Sequence, residues 1–344
     1  MGKEYIIRSL SEYIEVVKEL TNEIQEKNPR YEVWFRGQEK WNYELSPKGL
    51  RTIKKLTPCQ YMREGEDIEI LPLNDMLNDF KRKAIDNLDY KPNSLIEWCI
   101  IAQHYGLPTK LLDWTTNALV GLYFSLPSEE CLRKSKSISK NDIVDLIKWE
   151  EVDIDDIENM SFEEIYNKKL KINEFNDYQY ESVTEFSEIE LENSAVVYIM
   201  SPNLINKNTI GIDEVIYTKG NEVVEDEMEY FLNASKYGER KVISGISNTA
   251  TNDFPICINC NEIDKRIKFQ SGCFTLHGIC CAPLDFYDVI RREIHKLCIP
   301  YKYVKKIRDE LNTCGINKYF IYQDLNSLSE TLYDKELEMF FKGK

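Results

Sequence analysis

The sequence predicts an α+β fold in which a central, mostly antiparallel sheet is flanked by helices. Three observations lead there. Short aromatic or β-branched runs recur at Tyr31–Phe35, Leu111–Thr115, Ala195–Met200 and Tyr319–Tyr322. Capped segments of helical periodicity lie between them. The connections differ in length and kind, which argues against both a repeat and a doubly wound arrangement.

Taken in order, Ser9-x-x-Glu12 is a capping box, and Ile14, Val17, Leu20 and Ile24 recur at helical spacing until Asn28-Pro29, so a helix is expected over about residues 10–27. Tyr31-Glu32-Val33-Trp34-Phe35 reads as a strand, with Arg36-Gly37 at its tip. A helix is expected from Asn74, its cap, to Asn87. Ser94 caps another whose face is Leu95, Trp98, Cys99 and Ala102, stopped by Gly106 and Pro108 after His104 and Tyr105. Leu111 to Thr115 forms a short buried strand or tight turn. Asn117 caps the apolar helix Ala118 to Leu126.

Residues 128–193 lose apolar density and become acidic, the pattern of an insertion within a single domain spanning 1–344. Beyond it, Ala195–Met200 and Ile294–Ile299 read as strands, and Arg266 to Thr275 as an alternating segment around a turn. Tyr301 to Asn312 reads as a helix closed by Gly315, Tyr319–Tyr322 as a last strand, and Asp324 as the start of a closing helix.

Composition narrows the function classes. The 344 residues carry a formal charge of −15, which opposes generic attraction to phosphate backbones. No apolar run approaches the roughly 20 residues a membrane span needs, and no signal-peptide pattern opens the chain, so a cytoplasmic protein is expected. The ten cysteines then read as reduced thiols. Cys257-x-x-Cys260 with Cys273 and His277 has spacing a zinc site uses, but the reading favours core thiols and no metal. Richness in Lys, Ile, Asn, Glu and Tyr matches an AT-biased bacterial genome.

Two blocks carry chemistry. Arg36 beside Gly37 suits an anionic ligand such as phosphate or carboxylate; the structural alternative is a buried Arg paired with Asp113. His104 and Tyr105 at a helix end suit orienting a substrate or moving a proton, against a histidine hydrogen-bonded within the fold. Asp113-Trp114-Thr115 combines a carboxylate, a stacking surface and a hydroxyl, although Trp114 also fits a core position.

Trp34-Phe35-Arg36-Gly37-Gln38, the long block Ala102 to Thr115 continuing to Tyr123-Phe124, Arg266 to Thr275, and Ile299 to Leu328 together resemble the FRG domain, called after its Phe-Arg-Gly tripeptide. Lys110 departs from that pattern, standing where Arg is expected; it keeps the charge and loses the bidentate fork. A fainter resemblance is to ADP-ribosyltransferases, with Arg36-Gly37, Asp113 to Phe124 and Gln270 at the corresponding places.

That second resemblance implies an ADP-ribosyltransferase-like core with NAD as substrate. Arg36, His104, Tyr105, Asp113, Thr115 and Gln270 would then be catalytic, while Trp34, Arg36, Gly37, Trp114 and Asn117 would line the nucleotide. Gln270 replaces the catalytic Glu, and Asp113 is the alternative source of negative charge. Two functions are therefore weighed. One is a transferase or glycohydrolase acting on a macromolecular target in a bacterial defence or toxin setting. The other is a catalytically silent sensor that uses the same pocket for a nucleotide or a protein partner.

Overall fold

A computed structural model describes residues 2–51, 71–88, 92–127, 194–217, 228–232, 242–243, 246, 250–259, 265–278 and 280–342. The expected acidic insertion, 128–193, lies outside the described residues, as does Cys260. Among the described residues eight strands form one sheet, β1 (Glu4–Ile6), β2 (Trp34–Gln38), β3 (Leu111–Thr115), β4 (Ser194–Met200), β5 (Ile216–Tyr217), β6 (Ile256–Asn259), β7 (Gly272–Leu276) and β8 (His295–Pro300). Their order is β1-β8-β4-β2-β3-β7-β6-β5. Only the edge pairs β1–β8 and β5–β6 are parallel; every pairing between them is antiparallel. The architecture is α+β, as the sequence implies.

The helices among the described residues are α1 (Leu10–Lys27), α2 (Leu73–Ala84), α3 (Leu95–His104), α4 (Ala118–Ser125), α5 (Pro202–Ile210), α6 (Lys265–Phe269), α7 (Asp288–Arg291), α8 (Tyr301–Thr313), α9 (Lys318–Tyr322) and α10 (Leu325–Lys342). Their caps follow from side chains that satisfy orphan amides. Ser9 accepts from the Glu12 amide, Ser94 from the Glu97 amide, and Asn117 from the Leu119 and Val120 amides.

Both faces of the sheet are covered, because alternate strand residues feed different cores. Phe35, Val197, Ile199, Leu297 and Ile299 pack with Leu20 of α1, Val120 of α4 and Ile307 of α8. The same side continues through Leu111, Phe274 and Ile258 against Leu77 of α2 and Ile100 of α3. Trp34, Leu112, Trp114, Tyr198 and Cys273 fill the other side with Ile205 of α5 and Ile290 of α7.

Several expectations are corrected. The tripeptide's Arg36-Gly37 lies inside β2, not at a strand tip. The second helix starts at Leu73 behind Pro72 and without a side-chain cap, so Asn74 lies within it; its last residues, Ile85–Asn87, are a 3₁₀ turn. Arg266–Phe269 is helical, not extended, and only Gly272 onward joins the sheet. Tyr319–Tyr322 is helical too: Asn317 accepts from the Phe320 amide, and Gln323, in the left-handed region at φ 54°, ends the turn. An aromatic run of this length is strand-like by composition, and the local cap overrides it.

Candidate functional site: a cleft where two strands part

β2 is paired over its whole length with β4, from Trp34↔Met200 to Gln38↔Val196, but with β3 at the single position Phe35↔Thr115. β3 meanwhile pairs along all five residues with β7. Past Phe35 the sheet therefore opens between β2 and β3. The opening is a cavity of about 310 Å³, at the small end of ligand pockets, which run from roughly 300 to 1,000 Å³.

Arg36 lies at this opening. Its Nη1 donates to the Asp113 carbonyl oxygen at 2.7 Å, replacing the strand amide that a continuous ladder would have supplied. Its Nε is buried with no hydrogen-bond partner among the described residues. Burial lowers the guanidinium pKa, opposed by the nearby Asp113 charge and reinforced by Arg51. The structural alternative, an Arg36–Asp113 ion pair, is not formed among the described residues. The Asp113 carboxylate instead accepts from Gln103 Nε2 at 2.6 Å, and Gln103 Oε1 in turn accepts from the Thr109 hydroxyl.

Gly37 has a different reason to be glycine than ligand approach. A Cβ there would sit 2.2 Å from the Gly121 carbonyl oxygen and 2.3 Å from the Ser125 amide, while a Cβ on Gly121 would meet Phe35 Cβ at 2.7 Å. The pair lets α4 lie directly on β2. This seats α4, and so Phe124, at the cavity wall.

The floor is stapled at the turn before β7. Thr115 Oγ1 donates to the Gln270 carbonyl oxygen at 2.6 Å and accepts from the Asn117 amide at 3.0 Å, and the Thr116 amide donates to the Ser271 carbonyl oxygen. Ser271 sits at φ 47°, a left-handed conformation that non-glycine residues seldom adopt. Gln270 lines the cavity, but its Nε2 donates to the Ile321 carbonyl oxygen of α9 at 3.2 Å.

Of the residues singled out from the sequence, Arg36, Gly37, His104, Asp113, Trp114, Thr115 and Gln270 come together on this cavity. Trp34, Tyr105 and Asn117 do not line it. Trp34 is fully buried on the other side of the sheet, and its Nε1 donates to Glu32. Tyr105 is 63% exposed, edge-on to His104 with ring centroids 5.0 Å apart. Asn117 is spent on capping α4. Trp114 is 3% exposed and donates to Thr275 Oγ1, so most of its surface is core.

Sequence reasoning missed the two further polar lining residues, Gln103 and Arg266, although both fall inside the quoted blocks. Their polarity was a usable signal, since each is a long polar residue in a short helix that points chemistry at an element end.

Behind the cavity a polar line continues through Trp114, Thr275 and His277, with Thr275 Oγ1 and His277 Nε2 3.3 Å apart. Burial pushes the His277 imidazole down to about 3, and the charges of Arg36 and Lys110 act in the same direction. Lys110 itself is buried and donates to the Phe231 carbonyl oxygen at 2.9 Å. A single carbonyl is a target for which an ammonium suffices, so the missing guanidinium fork costs nothing at this contact. Cys257 and Cys273 are buried thiols in the core that Trp34 shares with α5 and α7, and among the described residues no group of three His, Cys, Asp or Glu is placed to hold a metal.

The family profile described as FRG domain matches residues 31–133. The matched stretch contains β2, α3, β3 and α4, the elements that supply most of the cavity wall. No curated protein and no solved structure matches the chain. No helix among the described residues is long and apolar enough to cross a membrane.

Proposed function

We propose that the cleft between β2 and β3 is a recognition site for a nucleotide, with Arg36 as the group that holds its phosphate. The observation that carries this reading is the state of Arg36: a part-buried side chain, tied by Nη1 to one carbonyl and left with a buried Nε that has no hydrogen-bond partner among the described residues, in a cavity it lines. A desolvated donor left unused costs about 1 kcal/mol or more, and an anion in the cavity offsets that through charge-assisted hydrogen bonds. Phe35, Phe124 and Phe274 supply apolar walls against which a base and ribose would rest.

The binding-module form of this reading is better supported than the transferase form. Gln270 offers no negative charge, and its amide is engaged with α9. The observation that keeps transferase or NAD-glycohydrolase chemistry as a second reading is the Asp113 carboxylate on the same cavity wall. Asp113 would have to leave Gln103 to stabilise developing positive charge on a ribose. A defence or toxin role rests on the resemblance alone.

Calorimetry with NAD and with AMP on the wild type and on Arg36→Ala tests the proposal. Binding to the wild type that is lost in the variant is expected; a folded wild type that binds neither refutes it. Nicotinamide release from NAD then separates the two forms, since a binding module releases none.

A further inference from the structure

A second cation stands at the rim of the cleft, on a segment that the fold holds in place. Lys48–Leu50 is a 3₁₀ turn, and three contacts seat it against the start of β3. The Gly49 amide donates to the Thr109 carbonyl oxygen at 2.9 Å, Lys48 Nζ donates to the Gly106 carbonyl oxygen at 3.2 Å, and Leu50 is buried. A Cβ on Gly49 would lie 2.5 Å from the same Thr109 oxygen, so the turn approaches β3 as closely as backbone permits.

Arg51 follows directly, extended at φ −68° and ψ 112°, with its side chain exposed. It makes no hydrogen bond and no ion pair among the described residues. Its charge nonetheless reaches the cleft: burial is the main cause of the lowered Arg36 pKa, and Arg51 adds to it. The two arginines meet the same strand. Arg36 bonds the Asp113 carbonyl, while the turn that carries Arg51 is pinned at Thr109. Four residues separate those points, at most about 13 Å along an extended strand, so both cations serve one end of the cleft.

Like charges brought together need an anion. Among the described residues the cavity lining offers one carboxylate, Asp113, which already accepts from Gln103. A bridging phosphate carries a single charge and two free oxygens, and Arg36 alone can satisfy it. A terminal phosphate carries a charge of about −1.5 to −2 at pH 7 and three free oxygens. It can give one oxygen to Arg36 inside the strand gap and another to Arg51 at the rim. In a chain of net charge −15, such a paired cationic end is selective, because the global field discourages anions that are not held closely.

We infer that Arg51 is a second anion-holding residue of this cleft and that its ligand class is a nucleotide ending in a terminal phosphate, a phosphomonoester dianion, as opposed to one whose phosphates are all bridging. The inference rests on the reading of the cleft as a nucleotide site and narrows it.

Calorimetry on the full chain tests it, with AMP and with the methyl ester of its 5′-phosphate, the same nucleotide with one charge removed. The wild type is expected to bind AMP about fivefold more tightly than the ester, between the worth of an exposed ion pair and that of a buried charge-assisted bond. Arg51→Ala should remove most of this preference by weakening AMP, with the ester unchanged. Arg51→Glu should weaken AMP further, and more than it weakens the ester, an outcome that a merely structural role would not produce. Arg51 is exposed, so neither variant removes a core contact. Equal or reversed affinities in the wild type, an Arg51→Ala loss shared equally by both ligands, or a preference that survives in Arg51→Ala overturns the inference and leaves the nucleotide site standing. No binding of either ligand to the folded wild type overturns the site and the inference together.

Discussion

The two edges of β2 are made of the same five residues and end differently. Toward β4 every residue is in register, and β4 is buried along all seven positions. Toward β3 the ladder stops after Phe35↔Thr115, and a side chain, Arg36, replaces the next strand amide. The closed edge gains ordinary hydrogen bonds and apolar burial. The open edge leaves a charged donor short of partners among the described residues, a cost that the proposed anion would relieve. The difference shows how one strand carries both the fold and the site: the rigid side locates Arg36, and the parted side gives it work.

The largest effect expected on this arrangement comes from what holds both edges at once, the seating of α4 on β2. Gly37→Ala places a Cβ 2.2 Å from one backbone atom of α4 and 2.3 Å from another, so the helix itself must move. Overpacking of this kind costs about 3 kcal/mol or more, and urea denaturation should show that loss together with a weakened ligand response. A variant as stable as the wild type would mean that α4 is not seated as described.

Acid provides the next largest perturbation, through His277 behind the open edge. Its folded-state value, about 3, lies below the ordinary histidine value of 6.5, so the native protein refuses a proton that the unfolded chain accepts. This contribution is therefore fully present above pH 6.5 and is lost as pH falls toward 3, at about 1.4 kcal/mol per unit. Between pH 6.5 and 5 the wild type should lose about 2 kcal/mol more than His277→Gln does. Parallel pH profiles for the two proteins would remove His277 as the source.

What could be read from the sequence divides along the same line. The closed, apolar part was legible: the caps at Ser9, Ser94 and Asn117 and the run to Met200 follow from local rules, whereas Leu111–Thr115, which local rules leave as a strand or a tight turn, is a strand. Convergence of Arg36, His104, Asp113 and Gln270 was anticipated because polar residues at element ends needed a common reason. The parting of β2 from β3 was not legible, since strand pairing is a tertiary choice that leaves no periodic trace in β2 itself. Arg266 to Thr275 reads from sequence as an alternating segment around a turn, since Arg266-Ile267-Lys268-Phe269 alternates polar and apolar, and a one-turn helix before a left-handed Ser271 satisfies the same pattern.

A smaller effect distinguishes a residue kept for the ligand from one kept for the fold. A buried arginine in a complete structural network costs about 3–5 kcal/mol when removed. Arg36 makes one bond to a carbonyl and leaves Nε unpartnered among the described residues, so Arg36→Met trades that bond against relief of a desolvated charge. Its stability should change by no more than about 1 kcal/mol in either direction, while ligand binding disappears. A loss of 3 kcal/mol or more in the same urea experiment would make Arg36 part of the closed edge's architecture.

An effect on stability no larger than that one is the most informative about chemistry. Gln270→Glu removes the N–H that reaches the Ile321 carbonyl and turns a carboxylate oxygen toward that acceptor. The lost bond and the new repulsion should together loosen α9 from the turn by about 1 kcal/mol, the worth of one ordinary hydrogen bond. Repelled from Ile321, the carboxylate has the cavity as its open direction, with Arg36 and Arg266 on the same lining to attract it. If the cleft is a weakened transferase, that charge is the missing stabiliser of an oxocarbenium-like ribose, and nicotinamide release from NAD should rise above the wild type by an order of magnitude or more. If the cleft only binds, the carboxylate competes with the phosphate for Arg36, so NAD affinity should fall severalfold and release should stay at the buffer rate. The geometry favours the second outcome, because Gln270 is anchored to α9 by its side chain and to Thr115 by its carbonyl, the contacts of a residue that positions a wall.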